Sequence, residues 1–432
     1  MPVDLARQRY LQRHIEAGLP ECPAALSPWQ QVLVIPAYRE AASLLDRLAL
    51  LPAGEGRTLV ILVLNRPDSD SDAGANNLLR KAVSRMRPRG PAGATLHCLN
   101  QHSDLYLHDT DRLHGPTPAS RGVGLARKIG CDIAFKWMCE GAIRSRWVCT
   151  TDADAVLPPD YFLRLAQVPE NCAAACYPFW HTSGADRHCN LATALYELRL
   201  HHYVLGLEYA GSPYACHTLG SCMAIEFGAY AAVRGFPQRA GGEDFYLLNK
   251  LAKTGPVQRL DGACIELESR VSHRVPFGTG PAVARISAAQ DPLAQPLFYH
   301  PACYEALHAV LQVAPQLARQ EPENLPALLA ATGMGRRLQE ACHLTLQAMD
   351  IASAIAHCRR QGTSPAQFLR QFHQWFDAFR TLKFIHGIRD AGWATCTLAD
   401  LRVLRPRLWP DADSDDIDSL RQHITSQLGW RR

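Results

Sequence analysis

The sequence predicts an α/β protein: a mostly parallel sheet flanked by helices, followed by an α-helical C-terminal region. Three observations predict it. Compact apolar runs at residues 31–36 and 59–64 are separated by one helical stretch, the spacing of a βαβ unit, whose strands are parallel. A further apolar, β-branched run at 147–151 stops abruptly at two carboxylates. Beyond about residue 290 the strand signals cease, and leucine and alanine recur at helical intervals through 302–389.

In chain order, residues 4–17 read as an amphipathic helix ended by Gly18 and Pro20. The first strand breaks at Pro36 and runs into Ala37-Tyr38-Arg39-Glu40. Leucines at 44, 45, 48 and 51 then mark a helix. The second strand ends at Asn65-Arg66-Pro67-Asp68, followed by a polar loop and a basic helix over 77–87. A short strand is expected near 95–99, and the polar stretch 100–120 reads as a loop. Arg121-Gly122-Val123-Gly124-Leu125-Ala126-Arg127-Lys128 opens a helix to about Gly141. Glycines and two cations at a helix start suit a phosphate, and equally suit a helix start with solvated charges. A strand near 173–178 is followed by helical patterns to about 205. His201 and His202 are adjacent there, so they cannot share a helix face or pair on a metal. Residues 219–227 read as a strand leading to a helix and to Gly235-Phe236-Pro237. Gly241-Gly242-Glu243-Asp244 precedes another helix, and 269–280 is a polar strand end with a Gly-rich loop. Two short helices are expected in 398–432. The expected division is an N-terminal helical segment (1–29), an α/β domain (30–288) and a helical C-terminal domain (289–432).

Bulk composition narrows the function classes. The 432 residues suffice for two domains, and 47% hydrophobic with 20% charged is ordinary for a globular chain. A net charge of +4, with no Lys/Arg block, argues against a nucleic-acid partner. The 15 cysteines lack C-x-x-C or zinc spacing and read as reduced thiols, which points to the cytoplasm. No apolar leader follows Met1, and no run is long enough to span a membrane, so only peripheral membrane contact is left. The oligomeric state is not legible.

The chemistry centres on Asp152-Ala153-Asp154. Strand residues i and i+2 point the same way, so the two carboxylates can converge just past the strand's end. Hard oxygen ligands so placed suit Mg²⁺ or Mn²⁺ carrying a diphosphate; an Asp-rich turn would look the same.

With these motifs in order, the chain resembles a glycosyltransferase of the GT-A fold, a Rossmann-like architecture, and is most similar to glycosyltransferase family 2. Val34-Ile35-Pro36-Ala37-Tyr38-Arg39-Glu40 resembles the family's first strand and nucleotide-binding turn. Gly124-Leu125-Ala126-Arg127-Lys128 resembles the helix whose basic residue lies near the nucleotide, and Asp152-Ala153-Asp154 the D-x-D metal motif. Gly220-Ser221-Cys222-Met223-Ala224-Ile225, Gly235-Phe236-Pro237 and Gly242-Glu243-Asp244 resemble the acceptor half. The likeness covers roughly residues 30–280. Two departures stand out. Asn65-Arg66-Pro67-Asp68 replaces the family's Asp-rich nucleoside turn, which leaves the base open between uracil and guanine. The Q-x-x-R-W signature of processive synthases is absent.

The resemblance implies a metal-dependent hexosyltransferase using a UDP- or GDP-sugar and a hydroxyl acceptor, with inversion. It implies Asp244 as general base, with Glu243 as the substitute. It implies nucleotide contacts from Pro36, Ala37, Tyr38, Glu40, Asn65, Asp68, Arg127, Lys128 and Asp152, and a metal site of Asp152, Asp154 and His273. Backbone N–H groups at the helix start are expected to keep Asp244 ionised, and Arg270 and Arg274 are further candidates for phosphate. Two rival readings remain. Asp152-Ala153-Asp154-Ala155-Val156-Leu157 also fits the nucleophile loop of haloacid-dehalogenase-type phosphatases, and a GT-A scaffold can serve binding alone.

Overall fold

The computed structural model describes residues 3–23, 28–89, 96–271, 278–362, 364–404, 406–407, 409–410 and 416–432. The chain divides into two compact units. One comprises residues 1–190, 218–282 and 428–432, and the other 191–217 and 283–427.

The first unit opens with helix α1 (Val3–Arg13), strand β1 (Gln31–Ala37), α2 (Leu44–Ala49), β2 (Thr58–Leu64) and α3 (Asn77–Val83). Then come β3 (Leu96–Cys98), β4 (Ser103–Asp109), α4 (Thr110–His114), α5 (Gly122–Cys139) and β5 (Trp147–Thr150). Next are β6 (Ala174–Cys176) and β7 (Phe179–Thr182), then α6 (Arg187–Tyr209), which belongs to the second unit from residue 191 on, and β8 (Met223–Glu226), α7 (Phe227–Ala232) and α8 (Glu243–Leu251). The short strands β9 (Val257–Arg259), β10 (Gly262–Ala263) and β11 (Ile265–Glu268) follow.

Eight of these strands form one sheet, in the order β3-β4-β2-β1-β5-β8-β6-β9. From β4 to β5 all neighbours are parallel, while β8 runs antiparallel to both β5 and β6. All seven residues of β2 are buried, as expected of a parallel strand covered on both faces. The sheet grows from β1 through β2 to β4 on one flank, whereas β5 joins β1 on the other. The strand order therefore reverses between β1 and β5. In open α/β sheets such a switch point, at the carboxyl ends of the strands, is where a ligand crevice forms.

The stretch expected as a loop, 100–120, holds the seven-residue strand β4, paired along its whole length with β2. Its polar residues misled because Ser103, Asp104 and His108 are buried, and the Asp104 carboxylate has its partners inside the protein. Asp104 is 1% exposed and accepts from Trp29 Nε1 at 2.9 Å and Arg57 Nη2 at 2.5 Å. A paired carboxylate can sit in a core where an unpaired one could not. β7 was also missed; it pairs with β11 in a separate two-stranded ribbon.

α1 is tied to α5 and α7 by a buried carboxylate. Asp132 accepts from Tyr10 at 2.5 Å, Tyr230 at 2.7 Å, Lys128 at 2.8 Å and the Glu16 N–H at 2.9 Å.

The C-terminal region is helical, as expected, and the second unit joins it to residues 191–217, which the expected division places in the α/β domain. Beyond residue 279 the elements are α9 (Thr279–Ser287), α10 (Ala302–Val313), α11 (Leu325–Ala330), α12 (Arg336–Ala348) and α13 (Ile351–Gln361). They continue with α14 (Pro365–Trp375), α15 (Ala378–Asp390), α16 (Leu398–Leu404) and α17 (Ile417–Gln427). Leu307, Val310, Leu329, Leu346, Ile355, Phe372, Phe384 and Ile388 form its core. Arg421 of α17 donates to both oxygens of buried Glu197, at 2.8 and 3.0 Å, which fastens the tail to α6. The tail also holds a two-residue strand, β12 (Trp430–Arg431), paired with β10, where only helices were expected. Two residues are too few for a period-2 pattern to show.

Candidate functional site

β5 stops at Thr150, which stands opposite Val34 in the register, so the chain emerges beside the last residues of β1 at the switch point. Two contacts fix the turn that follows. Arg47 of α2 donates to the Ala153 carbonyl at 2.8 Å. Val156 and Glu266 exchange backbone hydrogen bonds of 2.9 and 3.0 Å, which brings β11 alongside.

Each carboxylate of the turn meets an arginine from a distant element. Arg127, buried in the first turns of α5, donates to Asp152 at 2.5 Å and to Glu243 at 2.9 Å. Arg270, just past β11, lies 2.5 Å from Asp154. Burial opposes the charge on Arg127, but Asp152, Glu243 and Asp244 more than offset it and hold the guanidinium ionised. Its remaining Nη1 is buried without a hydrogen-bond partner among the described residues.

Asp244 stands beside this pair. Its Oδ2 accepts from the Gly220 N–H at 2.8 Å and its Oδ1 from the Phe245 N–H at 2.7 Å. These bonds favour the carboxylate, yet burial and the neighbouring Glu243 outweigh them and push its pKa up to about 7. The expectation that helix-terminal N–H groups keep it fully ionised is thereby corrected. Desolvation and a like charge win over two hydrogen bonds, and the result suits a general base.

Gly220 holds the group together. Its carbonyl accepts from Thr150 Oγ1 at 2.6 Å, its N–H serves Asp244, and a Cβ here would lie 2.6 Å from Arg127 Nη2. Gly220→Ala is expected to displace the Arg127 guanidinium from its place and cut turnover by about tenfold or more, with an unchanged circular dichroism spectrum. Steady-state kinetics check this.

The remaining sequence candidates divide. Pro36 and Ala37 end β1 at the switch point. Tyr38 donates to Asp70 at 2.6 Å, and Arg39, at φ 55°, donates to the same carboxylate at 2.8 and 2.9 Å. Asp70 was not singled out in the sequence; its neighbour Asp68 was. Asp68 instead accepts from the Ala119 N–H at 2.9 Å, a loop-fastening role. The buried Asn65 is likewise joined through its backbone, to Ala37 and to Asn76. Glu40 lies close enough to Arg270 to act on its charge. Lys128 must be removed from the diphosphate neighbours. Its three donors go to Asp132, Tyr10 and the His14 carbonyl at 2.8, 2.8 and 2.9 Å. One residue along a helix is a turn of about 100°, so Arg127 and Lys128 face different sides of α5. His273 and Arg274 lie outside the described residues.

The donor chemistry fits a divalent cation. Asp152 and Asp154 are hard oxygen ligands with side chains 42% and 20% exposed. Mg²⁺ and Mn²⁺ commonly take one or two protein carboxylates and complete their shell with water and substrate phosphate. Among the described residues no group of three or more such ligands gathers. A cation here would replace Arg127 at Asp152 and Arg270 at Asp154.

No family model and no curated protein matches the chain. Among solved structures it is similar to S. aureus TarS 1-349 (13% identity, 77% of this chain and 92% of that, TM-score 0.36). It is also similar to TarS 1-349 in complex with UDP-GlcNAc (12%, 92% and 91%, 0.35). A third likeness is the mannosyltransferase PcManGT from Pyrobaculum calidifontis in complex with GDP-Man and Mn²⁺ (17%, 90% and 93%, 0.35). Overlaps this loose carry no argument about activity. The sheet order and its switch point stand by themselves. The first unit is an α/β architecture built on a mixed, largely parallel eight-stranded sheet. No described helix is long and apolar enough to cross a membrane.

Proposed function

We propose that the chain is a nucleotide-sugar-dependent glycosyltransferase that moves a hexose to a hydroxyl acceptor with inversion. One observation carries the reading. Outside the β1/β5 switch point, two carboxylates and two arginines meet within a few residues of a carboxylate tuned to about pH 7. The expected α/β domain, residues 30–288, contains every member of that group.

In this reading the donor diphosphate lies against Arg127, whose Nη1 awaits an acceptor, and against Arg270. The nucleoside lies towards Tyr38 and the Arg39–Asp70 pair, and is uridine or guanosine. Asp244 takes the proton of the acceptor hydroxyl. That oxygen forms a bond to the anomeric carbon on the face opposite the diphosphate, while the bond from carbon to diphosphate breaks. The negative charge gathers on the departing diphosphate, where the guanidinium groups offset it. Mn²⁺ or Mg²⁺ held by Asp152 and Asp154 would supply further positive charge to that leaving group. His273 is kept as a third candidate ligand. The fifteen cysteines, with no disulfide among them, support a cytoplasmic setting.

A thermal-shift series with UDP- and GDP-sugars, with and without Mn²⁺, tests the reading. A true donor at about 100 times its Kd adds about 2.7 kcal/mol of stability, so one nucleotide series should raise Tm by several degrees. No shift with either series would overturn the reading. So would phosphatase activity abolished by Asp152→Asn, which would favour the dehalogenase-like alternative.

A further inference from the structure

The helical unit contains a cavity that the proposed reaction does not use. It has a volume of about 140 Å³ and is lined by His202, Gly206, Tyr209, Tyr304, Glu305, Arg407 and Trp409, among others. An engineered cavity of roughly that size, about 150 Å³, takes up benzene, so this one, partly open to solvent, can seat one face of a larger ring whose substituents extend past the rim. The charged Glu305 and Arg407 are exposed at its rim.

The interior is aromatic and polar at once. His202 is 3% exposed and packs edge-on against Phe298, Tyr304 and Trp409, with centroids 5.6, 5.3 and 5.3 Å away. Tyr304 takes its place because residue 206 is glycine; a Cβ there would lie 2.4 Å from the tyrosine ring. Both ring nitrogens of His202 and the Tyr304 hydroxyl are buried with no hydrogen-bond partner among the described residues. Such groups are costly to bury unpaired, and all three belong to two residues of the cavity lining, which asks for a common explanation.

Burial pushes the His202 pKa down to about 3, so the imidazole is neutral at pH 7, with one donor and one acceptor nitrogen. The tyrosine hydroxyl can do either. A ligand answering these groups must both donate and accept. It must also be uncharged where it meets the floor, because His202 and Tyr304 provide no opposite charge there. Its body must be a compact ring with apolar faces for aromatic walls. A pyranose combines these properties, with hydroxyls at its edges and C–H groups on its faces.

We propose that this cavity is a binding site for a neutral monosaccharide unit, with His202 and Tyr304 recognising its hydroxyls. The ligand chemistry is read from the cavity, and the identification with a sugar of the acceptor or product rests on the proposed glycosyltransferase reading.

The test is saturation-transfer NMR on the full chain, without donor or metal, using methyl α-D-glucopyranoside, methyl α-D-mannopyranoside and N-acetylglucosamine. At least one should give a saturable signal. That signal should vanish in His202→Leu and weaken about tenfold in Tyr304→Phe, which removes one hydrogen-bonding group and keeps the ring. Should His202→Leu fail to fold, Tyr304→Phe alone decides. No saturable signal from any of the three sugars would overturn the proposal, and so would a signal unchanged in Tyr304→Phe. Because no donor is present, binding here with no thermal shift from nucleotide sugars would sink the transferase reading and leave the site standing. The reverse result would remove the site alone.

Discussion

Asp244→Asn is expected to lower kcat by about 10²–10⁴-fold while leaving donor affinity near wild type. Asparagine keeps the shape and an oxygen for the Gly220 N–H, which donates to Asp244 at 2.8 Å, but it cannot take a proton. The pH dependence tests the same assignment. As the proposed base Asp244 would work as its carboxylate, and with a pKa pushed up to about 7 the ionised fraction grows through neutrality. Turnover of the wild type should therefore climb with pH through about 7 and level off above it. An unperturbed Asp would be ionised well below that range, with a pKa near 3.9. The rise should be absent from whatever activity Asp244→Asn retains. A fully active Asp244→Asn enzyme would confine this residue to holding Gly220. Glu243 would then be a poor substitute, being 3% exposed and bound to Arg127.

Arg127→Met is expected to cost both stability and activity. The side chains of Arg127 and Glu243 are each 4% exposed, so methionine fills the volume and leaves a buried carboxylate without its cation. Breaking a buried pair in this way costs roughly 3–5 kcal/mol, which urea denaturation would read directly. The double variant Arg127→Met/Glu243→Gln removes the stranded charge and should recover much of that stability. On the proposed reading it should not recover turnover, because the diphosphate would still lack the guanidinium. Recovery of both would reduce Arg127 to a structural residue.

Much of the architecture was legible because local patterns and final burial agree. The runs at 31–36 and 59–64 are apolar because their strands are covered on both faces, and the helical periods after 302 match buried stripes such as Leu307, Val310 and Leu346. β4 was not legible. Its Asp104 and His108 are buried, at 1% and 3% exposure, and a sequence cannot show that Trp29 and Arg57 wait to pair with the carboxylate.

The candidate site divides along the same line. By itself the sequence determined the residue types and their local placement: two carboxylates one apart at a strand's end, a basic helix start, and an acidic pair heading α8. Those follow from strand and helix periodicity, which act over a few residues. Only the tertiary structure decided the partners, 25 to 116 residues apart: Arg127 with Asp152 and Glu243, and Arg270 with Asp154. It also separated Arg127 from its neighbour Lys128, sending one to the switch point and the other to Asp132. The reason is physical. Ion pairing and desolvation depend on distance and burial in three dimensions, and neither is encoded by position along the chain.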